Sequence, residues 1–212
     1  GETTSKKAFS ILLDSLNNRK LQFTNNVRVL PDAALGNLQF AVAKNSVINI
    51  RSEPKHSAEL GTQGLLGMSL KVLDQKGDFY RIQTPDMYIS WVDRGGIQLL
   101  NKAEIDTWNQ AKKVLFTKNF GYVFADKKDE ATIISDVTLG GILEYISEDD
   151  TFYEVKYPDN RTGFIKKEEA VIYDSWLENV VSSKENIEAV AKNFGGFPYL
   201  WGGTSSKGMD CS

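Results

Sequence analysis

The chain opens on a helical pattern. Phe9, Leu12, Leu13 and Leu16 stand at i, i+3, i+4 and i+7 within 3–20, which places four apolar side chains on one face of a helix. Asn17 and Asn18 follow as breakers. From 21 to 40 no period holds, and Pro31 with Asp32 and Gly36 with Asn37 mark turns, so this stretch reads as a loop-rich connector. Beyond it the period changes from 3.6 to 2. Leu70 and Val72, Tyr80 and Ile82, and Ile89 and Trp91 alternate with their neighbours, as do Leu143 and Tyr145, and Tyr153, Val155 and Tyr157. Gly, Asp, Asn and Pro bound these runs. The alternation predicts short strands joined by tight turns, with one face buried.

The strand-rich middle repeats itself. Residues 66–92 align without a gap on 139–165, an offset of 73. Leu66, Gly67, Leu70, Phe79, Tyr80, Pro85 and Asp86 recur as Leu139, Gly140, Leu143, Phe152, Tyr153, Pro158 and Asp159. Self-similarity at a fixed spacing marks a duplicated unit. About 60 residues with five or six short strands fit a small closed barrel. Two barrels are therefore expected, over 41–100 and 113–173; one larger β-sandwich is the competing reading.

Between the barrels, 103–113 is predicted helical, with Ile105, Trp108 and Ala111 on one side. Residues 174–181 read as a connector. Ser182, with Glu185 three positions on, has the spacing of a capping box and opens a further helix. Its stripe of Ile187, Val190, Ala191 and Phe194 reads as ordinary core packing, and Gly195 and Gly196 stop it. The expected organisation is a helix and connector over 1–40, a first barrel over 41–100, a linker helix over 101–112, a second barrel over 113–173, and a linker leading into a further domain over 174–212. The fold class is mainly β with helical connectors.

Composition narrows the function. Hydrophobic residues make up 41% and charged residues 25% of the chain, the balance of a globular protein. There is no run of about 18 apolar residues to span a membrane. A net charge of −3 argues against a nucleic-acid partner, which needs a basic face. Lys166 and Lys167 are followed at once by Glu168 and Glu169 and read as a solvated face. One cysteine, Cys211, and one histidine, His56, make neither an internal disulfide nor a Cys/His zinc site. No metal or organic cofactor is expected. No signal peptide is visible, since 1–8 are polar and Asp14 interrupts the first apolar stretch; Gly1 leaves a cleaved leader open.

Candidate chemistry lies at the C-terminal end. Gly203 and Gly208 have the spacing of a phosphate loop, but Met209 and Asp210 stand where Lys and Ser/Thr are required, so no cation is available for a terminal phosphate. Cys211 is the other candidate. A thiol attacks as its thiolate, and the free N–H groups of a helix start lower its pKa and can hold an oxyanion. Asp210 is a good N-cap type, so a helix starting at Cys211 would supply such groups. The alternative is a buried small hydrophobe.

Pro198, Tyr199, Leu200, Trp201, Gly202 and Gly203, followed by Gly208, Met209, Asp210, Cys211 and Ser212, resemble the signature of the NlpC-type cysteine peptidases, bacterial enzymes that cut cell-wall peptides. The repeated barrels resemble the bacterial SH3-like domains that precede such peptidase domains. The whole chain most resembles members of the dipeptidyl-peptidase VI type, γ-D-glutamyl-L-diamino acid endopeptidases with two such barrels, over nearly everything from about residue 30 onward. The resemblance implies an α+β papain-like peptidase domain beginning near 174, with Cys211 as nucleophile and Tyr199 helping to polarise the scissile carbonyl. Asp210 and Ser212 would shape the adjacent pocket. It implies further that the first barrel binds the substrate's free N-terminal amine, for which a carboxylate and an aromatic are suited; Glu59 and Tyr88 are the best matches. The second repeat has Thr132 and Arg161 at those positions. A surface charge and a barrel-wall aromatic remain the plain alternative for the pair.

The implied partner is a murein-derived peptide, L-Ala-γ-D-Glu-diamino acid, and the implied location is the bacterial cell envelope, with the cytoplasm as alternative. A monomer is expected. The family's histidine base lies downstream of the cysteine, whereas His56 reads as a solvated turn residue in the first barrel. The natural protein is therefore expected to continue for roughly 90–100 residues, the size of a small domain. This chain alone is expected not to hydrolyse peptides. Two other functions stay open: an endopeptidase on intact peptidoglycan stems with the barrels as wall-binding modules, and a non-catalytic SH3-like binding protein.

Overall fold

The computed structural model describes residues 1–128 and 131–211. Strand β1 (Glu2–Thr3), helix α1 (Lys6–Asn18) and strand β2 (Arg28–Val29) form the N-terminal segment. Ser5 caps α1 by accepting from the Ala8 amide at 3.1 Å. β1 and β2 pair in parallel. Arg28 holds this unit to the first barrel through Asp74 at 2.6 Å, and Arg81 reaches Glu2 at 2.5 Å. The apolar stripe of α1 is real, yet none of its residues is buried.

The first sheet contains β3 (Phe40–Ala43), β4 (Val47–Arg51), β5 (Leu60–Leu65), β6 (Ser69–Lys76), β7 (Phe79–Gln83), β8 (Ile89–Asp93) and β9 (Ile97–Leu100). Their order across the sheet is β5-β4-β8-β7-β6-β3-β9. Ala41, Ile50, Leu70, Val72, Ile82, Val92 and Ile97, from six of these strands, meet in one buried cluster, so the sheet curls around a single core.

Helix α2 (Lys102–Gln110) follows, with Asn101 and Glu104 forming a reciprocal capping box. Ile105 and Trp108 on its inner face pack with Val42 and Leu100. The helix ends before Lys113, which belongs to the next strand.

The second sheet contains β10 (Lys113–Phe116), β11 (Phe120–Phe124), β12 (Ile133–Thr138), β13 (Ile142–Glu148), β14 (Phe152–Lys156), β15 (Thr162–Lys166) and β16 (Ala170–Ile172). Its order, β12-β11-β15-β14-β13-β10-β16, is that of the first sheet. Every strand begins 73 residues after its counterpart, so the repeat extends well beyond 66–92. The β-bulge between Val72 and Asp74 recurs between Tyr145 and Ser147, and the irregularity at Ile50 and Arg51 recurs at Val123 and Phe124. Each sheet has its own core, so the architecture is two barrels rather than one large sandwich.

The barrels are tightly joined. Leu66 of the first is fully buried within the core of the second. The Ile142 amide donates to the Leu66 carbonyl at 2.9 Å, continuing backbone pairing across the junction.

The chain then departs from the sequence reading at three points. Residues within 174–181 are not a plain connector: Tyr173–Asn179 form helix α3. Helix α4 (Lys184–Lys192) is capped by Ser183 rather than Ser182, because it is Ser183 whose hydroxyl accepts from the Asn186 amide at 3.2 Å. The stripe on α4 is not core packing: Ile187 is 64% and Val190 53% exposed, and the helix buries no residue.

Candidate active site

Residues 198–211 form a compact loop held by its own backbone. The Leu200 amide donates to Met209 O at 2.9 Å, Met209 to Pro198 O at 3.2 Å, and Asp210 to Gly203 O at 3.0 Å. Within it, β17 (Thr204–Ser205) and β18 (Gly208–Met209) make a short hairpin. Tyr199 pairs with Met209, which brings it to the strand that runs into Cys211. Asp210 turns its carboxylate to the Gly202 amide at 3.1 Å, closing the loop. Cys211 is exposed and lies in no helix or strand, so the described residues contain no helix starting there. Ser212 lies outside the described residues.

This loop sits on the first barrel. Gly202 adopts φ +72° against β5, and a Cβ there would collide with the Leu60 carbonyl oxygen. Glycine is required both by the backbone angle and by the close approach. The neighbouring Trp201 donates its indole N–H to Glu59 Oε1 at 2.8 Å. Tyr88 reaches the same strand end: a Cβ on Gly61 would stand 2.5 Å from its hydroxyl. The structure therefore gathers Glu59, Tyr88 and the Tyr199 to Cys211 loop along one edge of the first barrel. Tyr88, Tyr199 and Trp201 all present exposed ring surface there.

His56 is elsewhere in its contacts. Its side chain is 78% exposed, its Nε2 lies 3.5 Å from Asp93, and its ring meets Phe79 edge-on at 5.0 Å.

The hairpin tip is gripped by both barrels, through residues that the sequence reading did not single out. Buried Gln63 of β5 accepts from the Thr204 amide at 3.1 Å and the Ser205 hydroxyl at 2.9 Å, while its own amide donates to Asn49. From the second barrel, Asp136 of β12 pairs with Lys207 at 2.5 Å. Ser46 donates to the same Asp136 oxygen at 2.9 Å and accepts from Lys207 at 2.8 Å. Ser206 donates to the Asn119 carbonyl. Burial pulls the Asp136 carboxyl upward, but the hydrogen bonds from Lys207 and Ser46 together with the Lys207 charge hold it below the ordinary carboxylate value. Gln63 and Asp136 are equivalent positions of the repeat, as are Ser46 and Asn119. A polar residue at the same mid-strand position in both copies was the signal that could have found them.

Residues 50–97 match the family model described as the bacterial dipeptidyl-peptidase Sh3 domain. The chain is 28% identical over 162 residues to gamma-D-glutamyl-L-lysine dipeptidyl-peptidase of Bacillus cereus, covering 73% of this chain and 48% of that protein. It is 25% identical over 185 residues to dipeptidyl-peptidase 6 of Lysinibacillus sphaericus, covering 81% and 65% respectively. The chain thus spans less than two thirds of the length of either relative. The crystal structure of an NlpC/P60 family protein from Bacillus cereus shares the fold at a TM-score of 0.69, with 22% identity over 81% of this chain and 68% of that one. An NlpC/P60 endopeptidase from Photobacterium damselae subsp. piscicida does so at 0.59, with 14% identity over 98% of this chain and 46% of that one. The chain is thus similar to two curated dipeptidyl-peptidases, shares its fold with NlpC/P60 proteins, and matches the bacterial dipeptidyl-peptidase Sh3 domain over residues 50–97.

Proposed function

We propose that the protein to which this chain belongs is a cysteine peptidase of the bacterial cell envelope that cuts the γ-D-Glu–diamino acid bond of murein peptides with a free N-terminal L-Ala. The observation that carries this reading is the Trp201 to Glu59 hydrogen bond, which ties the loop bearing Cys211 to a first-barrel carboxylate. A carboxylate and an aromatic ring at one end of a cleft suit an ammonium group by charge and by cation–π attraction. In this reading the first barrel blocks the chain beyond the amine, which limits the released fragment to a dipeptide.

In this reading the Cys211 thiolate adds to the γ-carbonyl of D-Glu. The Tyr199 hydroxyl donates to the oxygen as negative charge develops on it. The diamino acid leaves as an amine after taking a proton, and water hydrolyses the thioester to release L-Ala-γ-D-Glu. His56, held to Phe79 and Asp93, is not the base. The reading requires a histidine base, which the described residues around Cys211 do not supply.

The test uses full-length protein and two substrates, the free tripeptide and its N-acetyl form. Wild type is expected to prefer the free amine strongly, and Glu59→Gln to cut kcat/KM for the free tripeptide by roughly 10- to 150-fold, the value of a charge-assisted hydrogen bond. The acetylated peptide should be affected little. Equal turnover of both peptides by wild type, or an unchanged kcat/KM in Glu59→Gln, removes Glu59 from the substrate site. Turnover that persists in Cys211→Ala removes the cysteine mechanism.

A further inference from the structure

We propose that Asp136 of the second barrel is a positioning residue for this site: by holding Lys207 it fixes the hairpin that leads into Cys211 at a set distance from Glu59 on the first barrel. The inference rests on the peptide-hydrolase reading and gives the second barrel a part in it.

The hairpin from Thr204 to Met209 has little of its own to keep it in place. It contains two strands of two residues each, and Lys207 at its tip is exposed. A short isolated hairpin is marginal in water. Its position is set from outside, by Gln63, by the Asp136 and Ser46 pair, and by the Asn119 carbonyl that accepts from Ser206. Gln63 holds Thr204 and Ser205 from the first barrel. Asp136 and Ser46 hold Lys207, with Asp136 3.0 Å or closer to both partners. Ser46 is itself buried at the barrel junction, where its carbonyl accepts from Thr138 of the second barrel. The Asp136–Ser46–Lys207 cluster therefore joins both barrels and the hairpin in one network.

The consequence is geometric. Glu59 and Cys211 lie on separate units, connected through the Trp201 to Glu59 bond on one side and the hairpin on the other. Without the Asp136 contact the Lys207 end is left to Gln63 and the single Ser206 to Asn119 bond. The Asp136 contact restricts that freedom, so the spacing between amine site and nucleophile is set by the second barrel as well as the first. A dipeptide-length substrate is sensitive to that spacing, because a misplacement of about 1 Å at a reacting centre costs roughly 100-fold in rate.

Full-length wild type, Asp136→Asn, Lys207→Met and the exchanged pair Asp136→Lys with Lys207→Asp would be compared on the free and N-acetylated tripeptides. Amide hydrogen exchange across 204–210 would be measured in parallel. Asp136→Asn and Lys207→Met are expected to lower kcat/KM for the free tripeptide by about 10- to 100-fold with a raised KM. They should shrink the preference for free over acetylated peptide and speed exchange in the hairpin, and the exchanged pair should recover part of the preference. A purely stabilising role would instead reduce the active fraction, lowering kcat equally for both peptides with KM unchanged, and this outcome overturns the proposal. Should Asp136→Asn fail to fold, Lys207→Met decides, since its side chain belongs to neither core. Wild type that hydrolyses neither peptide rejects the peptidase reading; exchange then decides alone, faster hairpin exchange supporting the clamp and unchanged exchange overturning it.

Discussion

Where the first barrel carries Tyr88, the second carries Arg161, and the two side chains do different things. Tyr88 leans over Gly61 at the edge that faces the Cys211 loop. Arg161 stacks 4.3 Å from the Tyr157 ring, pairs with Asp159 and reaches the Lys44 carbonyl of the first barrel. One copy places this position beside the strand end that carries Glu59 and the other at the junction between copies. Leu66 and Leu139 differ in the same way: the first is fully buried in its neighbour's core, while the second is half-exposed. The copies therefore pack head to tail, with different faces in contact. A head-to-tail pair necessarily leaves one copy's donor face and the other's acceptor face free. Duplication alone thus creates two inequivalent sites, and substitution then separates their roles.

The cores show how much change one backbone tolerates. Ala43 and Ile48 of the first barrel are replaced by Phe116 and Gly121 in the second, and a Cβ on Gly121 would run into the Phe116 ring. Large and small have exchanged places. Conserved volume keeps a core packed while the individual residues change.

The head-to-tail reading is broken most directly at Leu66. Leu66→Ala should destabilise the protein by about 2–5 kcal/mol, since it empties a fully buried site in the second core. Leu139→Ala should cost about 1 kcal/mol or less. Urea unfolding of both variants would check this, and an equal or reversed order contradicts the asymmetry.

The two copies also differ at Phe40 and Lys113, which share one repeat position; Phe40 packs against the cluster that holds Trp108, and Lys113 lies over the Trp108 ring. Lys113 Nζ donates to the carbonyls of Trp108 and Ala111 at the end of α2, lying 4.5 Å from the indole. Burial pushes its pKa down from 10.5 to about 8, against the pull of Glu144 and Asp174. The folded protein then holds fewer protons than the unfolded chain between pH 8 and 10.5. Stability from this group therefore rises with pH through that window and is lowest below pH 8. Relative to Lys113→Met, wild type should gain roughly 1–3 kcal/mol between pH 8 and 10.5. Parallel melts at the two pH values test it; a difference that is flat with pH, or that moves the other way, contradicts it.

The smallest expected effect sharpens the division of roles at Tyr88 and Arg161. Tyr88→Ala should lower kcat/KM for the free tripeptide by about 2- to 30-fold, the range of a cation–π contact. Arg161→Ala should leave KM unchanged and lower the melting temperature slightly. A KM effect from Arg161→Ala places substrate on the second barrel instead.

The duplicated barrels were legible in the sequence because a half-buried strand must alternate, and two copies of one alternation at a fixed offset cannot hide. The candidate cysteine was singled out another way, by the resemblance of Pro198 to Gly203 and Gly208 to Ser212 to a family signature, since its residue type alone left a buried small hydrophobe open. The helices were less legible. Ser182 and Ser183 have equal claims on local chemistry, and only the hydroxyl's actual partner, the Asn186 amide, separates them. The stripe on α4 predicts an amphipathic helix correctly, but periodicity carries no information on what the apolar face meets.

What the amino-acid order determined by itself was therefore local: strand periods, turns, and the residue order of the segment from Pro198 to Cys211. What the tertiary structure decided was which distant residues meet. Glu59 and Trp201 are 142 positions apart and Asp136 and Lys207 are 71, and no pattern within either segment names its partner. The choice is made by burial and shape: Leu66 entering the second core joins the barrels, and Gln63 of one and Asp136 of the other then meet the same hairpin.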